Sequence, residues 1–279
     1  MHNKNLILDL FNVERKTVLI TGGGSGLGKI MTETLCYSGA NVFIASRKKE
    51  VVEKAAKTIM DKKPAGSVTA LSADIGDEKS INELIKTIEG STERLDILIN
   101  NAGRSWGAEL GQFPYLAWEK ILAVNVAGLF HLTQGLLPLL KKTATKTEPA
   151  RIINVGSVMG TAALGDGAYS YSASKAAVHQ LTRILAKELA KYHITCNALA
   201  PGPFSSAMTD FALNNEKKET SVSSGIPLGR IGENSDISGS ILYLCSTAGK
   251  YLTGAILPID GGLHIATGPE LFAEAKKLK

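Results

Sequence analysis

Seven short runs of nearly unbroken apolar character recur along this chain, each followed by a longer stretch of another pattern, and few architectures accept that rhythm. The runs are KTVLIT (16–21), NVFIAS (41–46), SVTALSAD (67–74), LDILIN (95–100), RIINVGS (151–157), ITCNALA (194–200) and AILPID (255–260). They are rich in Val, Ile and Leu and hardly alternate, as expected of strands covered on both faces. Helical patterns occupy 26–38, 48–62, 78–90, 115–141, 170–191 and 235–247. The repetition predicts an α/β fold: a doubly wound parallel sheet of about seven strands with helices on both faces. Strands continue to residue 260 without a linker, a repeat or a low-complexity run, so 1–279 is expected to form a single domain.

Two segments interrupt the rhythm. Residues 143–150 (TATKTEPA) are polar and read as a surface loop. Residues 203–233 show weak periodicity and many small polar side chains. They follow a strand's carboxyl end, where ligands of such sheets bind, so they are expected to form a substrate lid. The tail, 263–279, carries a short helical pattern, PELFAEAKKLK.

Composition narrows the function. The net charge is +5, but the basic pairs are scattered and no stripe carries interleaved aromatics, so nucleic acid is not an expected partner. A mild positive field favours anionic ligands. Three widely separated cysteines (Cys36, Cys196, Cys245) suggest neither a disulfide framework nor a metal site and suit a reducing compartment. The five histidines show no metal-ligand spacing and read as packing or surface residues. The start, MHNKNLILDLFNV, is too short and too interrupted for a signal peptide or membrane span, and the end, KKLK, is not a peroxisomal address. The expected location is cytoplasmic, with no metal and no membrane partner.

Directly after the first strand comes TGGGSGLG (21–28), opening a helix. Glycines at 22, 26 and 28 allow a tight turn and bring backbone amides close to a pyrophosphate, which a helix N-terminus favours. Gly22, Ser25, Gly26, Leu27 and Gly28 are therefore expected to touch a dinucleotide. The end of the second strand selects the ribose. A site for NAD usually places a carboxylate there. Here the chain has Ser46 and then Arg47, a hydroxyl and a guanidinium that suit a 2′-phosphate, which predicts NADPH/NADP+ over NADH.

With those residues stand NNAG (100–103), Ser157, Tyr171-x-x-x-Lys175 and Pro201-Gly202, in that order. The set resembles the short-chain dehydrogenase/reductase family over about residues 12–262. NNAGRSWGAEL, AWEKILAVNV and SKAAVHQLTRILAKEL are similar to the NADPH-dependent 3-oxoacyl reductases linked to bacterial rhamnolipid synthesis. The resemblance implies a Rossmann-type sheet and a catalytic group of Asn125, Ser157, Tyr171 and Lys175. It implies that Asp74 and Ile75 lie against the adenine, that Asn101, Ala102 and Gly103 line the adenosine side, and that Pro201, Gly202 and Ser206 flank the nicotinamide. Ser205 is an alternative to Ser206. Tyr171 and Lys175, at i and i+4, share a helix face, so the ammonium is expected to lower the phenol's pKa and ready it as a general acid. By the resemblance Ser157 holds the substrate oxygen, Lys175 also grips the nicotinamide ribose, and Asn125 joins a water-linked relay to Lys175. Tyr169 lies off that face and reads as packing or pocket wall, and Trp106 as either. The implied reaction is ketone reduction to a secondary alcohol, the alternatives being an NADP-dependent alcohol or polyol dehydrogenase and a non-catalytic NADPH sensor. A homotetramer or homodimer through helices 115–141 and 170–191 is implied as well.

Overall fold

The computed structural model describes residues 3–164 and 167–266, so the helical pattern read at 269–279 lies outside the described residues. In chain order the elements are α1 (Asn3–Leu10), β1 (Thr17–Thr21), α2 (Gly26–Tyr37), β2 (Asn41–Ser46), α3 (Lys49–Met60), β3 (Ser67–Ser72), α4 (Glu78–Ser91), β4 (Ile97–Asn100), α5 (Tyr115–Leu122), a π-helical turn (Ala123–Gly128) and α6 (Leu129–Thr143). Then follow β5 (Ala150–Val155), α7 (Tyr169–Leu189), β6 (Ile194–Pro201), α8 (Asp210–Leu213), α9 (Glu216–Ser224), α10 (Asn234–Cys245) and β7 (Ile256–Ile259). All seven expected strands form.

The sheet is wholly parallel, in the order β3-β2-β1-β4-β5-β6-β7. Chain order therefore reverses between β1 and β4, opening a crevice at the strands' carboxyl ends. Val, Ile and Leu fill the central strands, which are buried on both faces. One face packs on α2, α3 and α10 through Met31, Leu35, Val52, Ile59, Ile237 and Ile241. The other packs on α4, α6 and α7 through Ile81, Leu84, Ile88, Leu132, Leu136, Leu140 and Leu185. α4 shows the local logic. Asp77 caps its first turn by accepting from the Ser80 amide (2.8 Å), and Ile81, Leu84, Ile85 and Ile88 form one apolar stripe.

A buried polar chain ties the sheet centre to its helices. Asn100 Nδ2 donates to Thr133 Oγ1 (3.0 Å) on α6 and to Asn154 Oδ1 (2.9 Å), and Asn154 Nδ2 donates to Thr182 Oγ1 (2.9 Å) on α7. Arg151, buried on β5, donates to the Ser246 carbonyl (3.1 Å) and to the Pro149 carbonyl.

Some details differ from expectation. β5 ends at Val155 and β3 at Ser72, so Ser157 and Asp74 stand two residues beyond their strands, in the turns that follow. Both side chains fold back onto those turns: Ser157 Oγ accepts from the Met159 amide (3.2 Å) and Asp74 Oδ1 from the Gly76 amide (2.8 Å). α1 was not anticipated, nor were α8 and α9 within 203–233. That segment is pinned at its ends, where Gly232 N donates to Pro203 O (2.9 Å) and Leu228 N to Gly261 O (3.1 Å). Between the pins, α9 buries no residue.

Candidate active site

The crevice is a cleft of about 750 Å³. Gly22, Ser25, Gly26, Leu27, Gly28, Ser46, Arg47, Asp74, Ile75, Asn101, Ala102, Gly103, Ser157, Tyr171, Lys175, Pro201, Gly202 and Ser206 all line it. Asn125 is buried and does not line it. Ser205 and Trp106 are not among the lining residues, which favours Ser206 over its neighbour. Tyr169 packs edge-on to Phe113, with ring centroids 5.5 Å apart.

At one end of the cleft the strand-to-helix turn is built for close approach. Gly22 has φ +68°, and a Cβ at Gly28 would overlap the Gly22 carbonyl, so α2 can start this near β1 only with glycine there. Asn101 reaches across, its Nδ2 donating to the carbonyls of Thr21 (2.9 Å) and Gly22 (3.2 Å). Its side chain thus braces the glycine turn from behind. Ser25 at the N-cap of α2 makes no side-chain cap bond, leaving first-turn amides for an anion. These features fit a dinucleotide pyrophosphate. Further along, Ser46 Oγ accepts from Lys48 N (3.3 Å), and Lys48 joins Arg47 in the wall.

At the other end stand Ser157, Tyr171 and Lys175. Lys175 is buried, its Nζ donating to the Val155 carbonyl (2.6 Å) and lying 5.6 Å from the Tyr171 ring centroid. Burial lowers its pKa to about 8, so the ammonium still dominates at neutral pH. The expectation of a lowered phenol pKa is reversed: burial raises Tyr171, and only a hydrogen bond with Ser157 acts in the opposite sense. Sequence spacing registers the neighbouring charge but not the loss of water around the phenol, and here the second effect wins.

Asn125 sits in the π turn. Its Oδ1 accepts from Arg104 N (2.8 Å), and its Nδ2 donates to Arg104 O (2.9 Å) and Ser174 Oγ (2.9 Å). The side chain thus has three partners and no direct bond to Lys175, contrary to a simple relay. It fixes the backbone just after Gly103, beside Lys175. Sequence reasoning missed Lys48, Arg104 and Thr209 as lining residues. Thr209 Oγ1 accepts from Ser206 N (3.0 Å) and donates to Phe204 O (2.6 Å). The Ser206-Ala-Met-Thr209 spacing, two hydroxyls one turn apart, was the available signal.

Residues 22–264 match the family described as enoyl-(acyl carrier protein) reductase. The rhamnolipids biosynthesis 3-oxoacyl-[acyl-carrier-protein] reductase of Pseudomonas aeruginosa is 42% identical over 91% of this chain and 98% of its own length. The chain belongs to the short-chain dehydrogenase/reductase family. Among solved structures of the short-chain dehydrogenase/reductases, the Pseudomonas aeruginosa RhlG/NADP active-site complex superposes with TM-score 0.88 at 42% identity, covering 92% of this chain and 99% of that one. A short-chain type dehydrogenase/reductase from Mycobacterium marinum superposes with TM-score 0.84 at 28% identity, covering 92% and 98%.

Proposed function

We propose that this chain is an NADPH-dependent reductase of 3-oxoacyl thioesters, cytoplasmic and homo-oligomeric. One observation carries the reading: the glycine turn, the Ser46–Arg47 rim and the Ser157–Tyr171–Lys175 group line one continuous cleft. The 42% identity to a 3-oxoacyl reductase supports the substrate class. Bound there, the nicotinamide supplies a hydride to the carbonyl carbon. The Ser157 hydroxyl donates a hydrogen bond to the substrate oxygen as negative charge gathers on it. The Tyr171 phenol delivers the proton. A raised pKa suits that task, because the phenol stays protonated until an alkoxide, a far stronger base, forms beside it. The nearby Lys175 ammonium then steadies the phenolate. Asn125 acts as a positioning residue, holding the Gly103–Arg104 wall. Ser46, Arg47 and Lys48 receive the 2′-phosphate. The 203–233 segment serves as the lid, its residues 206–209 already forming cleft wall.

Location is argued from three buried free thiols, which suit a reducing compartment. Assembly is argued from α5–α6 and α7, which expose Leu122, Phe130 and Ile184 beside the small surface of Ala173 and Ala176. A monomer in sedimentation equilibrium overturns the assembly. The assay that tests the reaction follows NADPH absorbance with a 3-oxoacyl thioester and, in parallel, a 2-enoyl thioester. Turnover of the ketone alone is expected. Preference for the enoyl substrate, or equal use of NADH, rejects the corresponding part of the reading.

A further inference from the structure

His179 lies one turn beyond Lys175 on α7 and is almost fully buried, although none of the steps above uses it. Its imidazole sits under the turn that carries Ser157. A Cβ at Gly156 would overlap its Nε2, and a Cβ at Gly160 would come within 2.8 Å of its Cε1. The two glycines that bracket Ser157, Val158 and Met159 therefore both rest on one ring. Nδ1 lies 3.4 Å from Thr161 Oγ1, and Nε2 has no hydrogen-bond partner. A buried polar atom without a partner costs free energy that an aliphatic side chain would avoid. The ring is also the only obstacle named within 3 Å of the Gly156 Cβ position.

We infer that His179 is a positioning residue for Ser157: a flat, neutral ring that sets the height of the 156–160 turn against α7 and so aims the Ser157 hydroxyl at the cleft. The inference rests on the proposed role of Ser157. Planarity explains the residue type. A branched side chain of like volume would push on Gly156 or Gly160, and a small one would leave the turn unsupported. Burial and the neighbouring charges of Arg183 and Lys175 hold the imidazole at a pKa of about 4, so it adds no second cation beside the Lys175 ammonium in the working range. The facing charged groups, Lys175 and Arg183, both lie on α7.

A double-mutant cycle with Ser157 tests this. Ser157→Ala alone is expected to lower kcat strongly, and His179→Ala alone to lower kcat about tenfold (the effect of ~1.4 kcal/mol of lost transition-state stabilisation). NADPH Kd, read by fluorescence quenching, is expected to stay within twofold. In the Ser157→Ala background, His179→Ala is expected to add less than twofold. Full multiplication of the two losses overturns the inference while leaving the Ser157 role intact. An unchanged rate in Ser157→Ala overturns the Ser157 role and this inference with it. If His179→Ala does not fold, His179→Asn, which keeps a planar polar group and shortens it, runs the same cycle with the same deciding outcomes.

Discussion

The floor of the cleft and its 203–233 rim are held in opposite ways. On the floor, Ser157, Lys175 and Asn125 are buried and fixed by bonds to backbone: Lys175 to the Val155 carbonyl, Asn125 to both polar groups of Arg104. On the rim, Phe211 and Leu228 are exposed, α9 buries nothing, and Phe204, Leu213 and Ile226 alone are buried. The floor is thus determined by the core packing and by desolvation. The rim is determined by local capping, such as Asn215 Oδ1 accepting from Lys218 N (3.0 Å), and by its end pins. Chemistry sits where the protein has least freedom, and contact with the changeable part of a substrate sits where it has most.

That contrast predicts a descending series of effects. Tyr171→Phe removes the proton donor and is expected to lower kcat by about 10³- to 10⁴-fold in a steady-state assay, with NADPH Kd nearly unchanged. A loss below tenfold would place the donor elsewhere. Lys175→Met is expected to abolish activity and yet raise Tm by a few degrees, because a buried ammonium is replaced by an apolar chain. The pH dependence has a fixed sign. The folded-state pKa, about 8, lies below the ordinary 10.5, so folding disfavours the charged form. The penalty is full below pH 8 and fades as pH rises toward 10.5, so this group makes the protein more stable over that window. Activity needs the ammonium and falls over the same window. Thermal melts and rates measured between pH 7 and 10 should therefore diverge in wild type, and the Tm gain of Lys175→Met should shrink as pH rises. A lower Tm in that variant at pH 7 contradicts the buried-charge account.

Arg47→Ala, at the exposed end of the cleft, is expected to raise KM for NADPH about tenfold, within the ~1.5–3 kcal/mol of a charged hydrogen bond, and to leave KM for NADH unaltered. Equal effects on both cofactors would remove the 2′-phosphate from that position. Smallest is Phe211→Ala on the rim. Its exposed ring predicts a stability change within about 0.5 kcal/mol by urea melt, with any kinetic effect confined to KM for the thioester.

Legibility in the sequence follows the same division. The strands were readable because a sheet covered on both faces demands long apolar runs, and Tyr171 and Lys175 because helical spacing is a local property. The direction of the phenol's pKa was not readable, since burial depends on residues far away in sequence, among them those that seat Ser157 beside it. Asn125 was noticed as an asparagine out of place in a helix, but its partners, Arg104 and Ser174, lie 21 and 49 residues away. α8 and α9 escaped because a helix that buries little leaves no periodic stripe to read.

The π turn at Ala123–Gly128 has a consequence for how such a chain can change. It is one surplus residue in an otherwise regular rod, and deleting that residue would restore ideal winding. The repair would also rotate everything downstream by about 100°. Leu132, Leu136 and Leu140 would then swing away from the sheet they cover. The irregularity can be kept or lost only together with the whole register of α6, so small deletions in this helix lead to ruin before they lead to a variant.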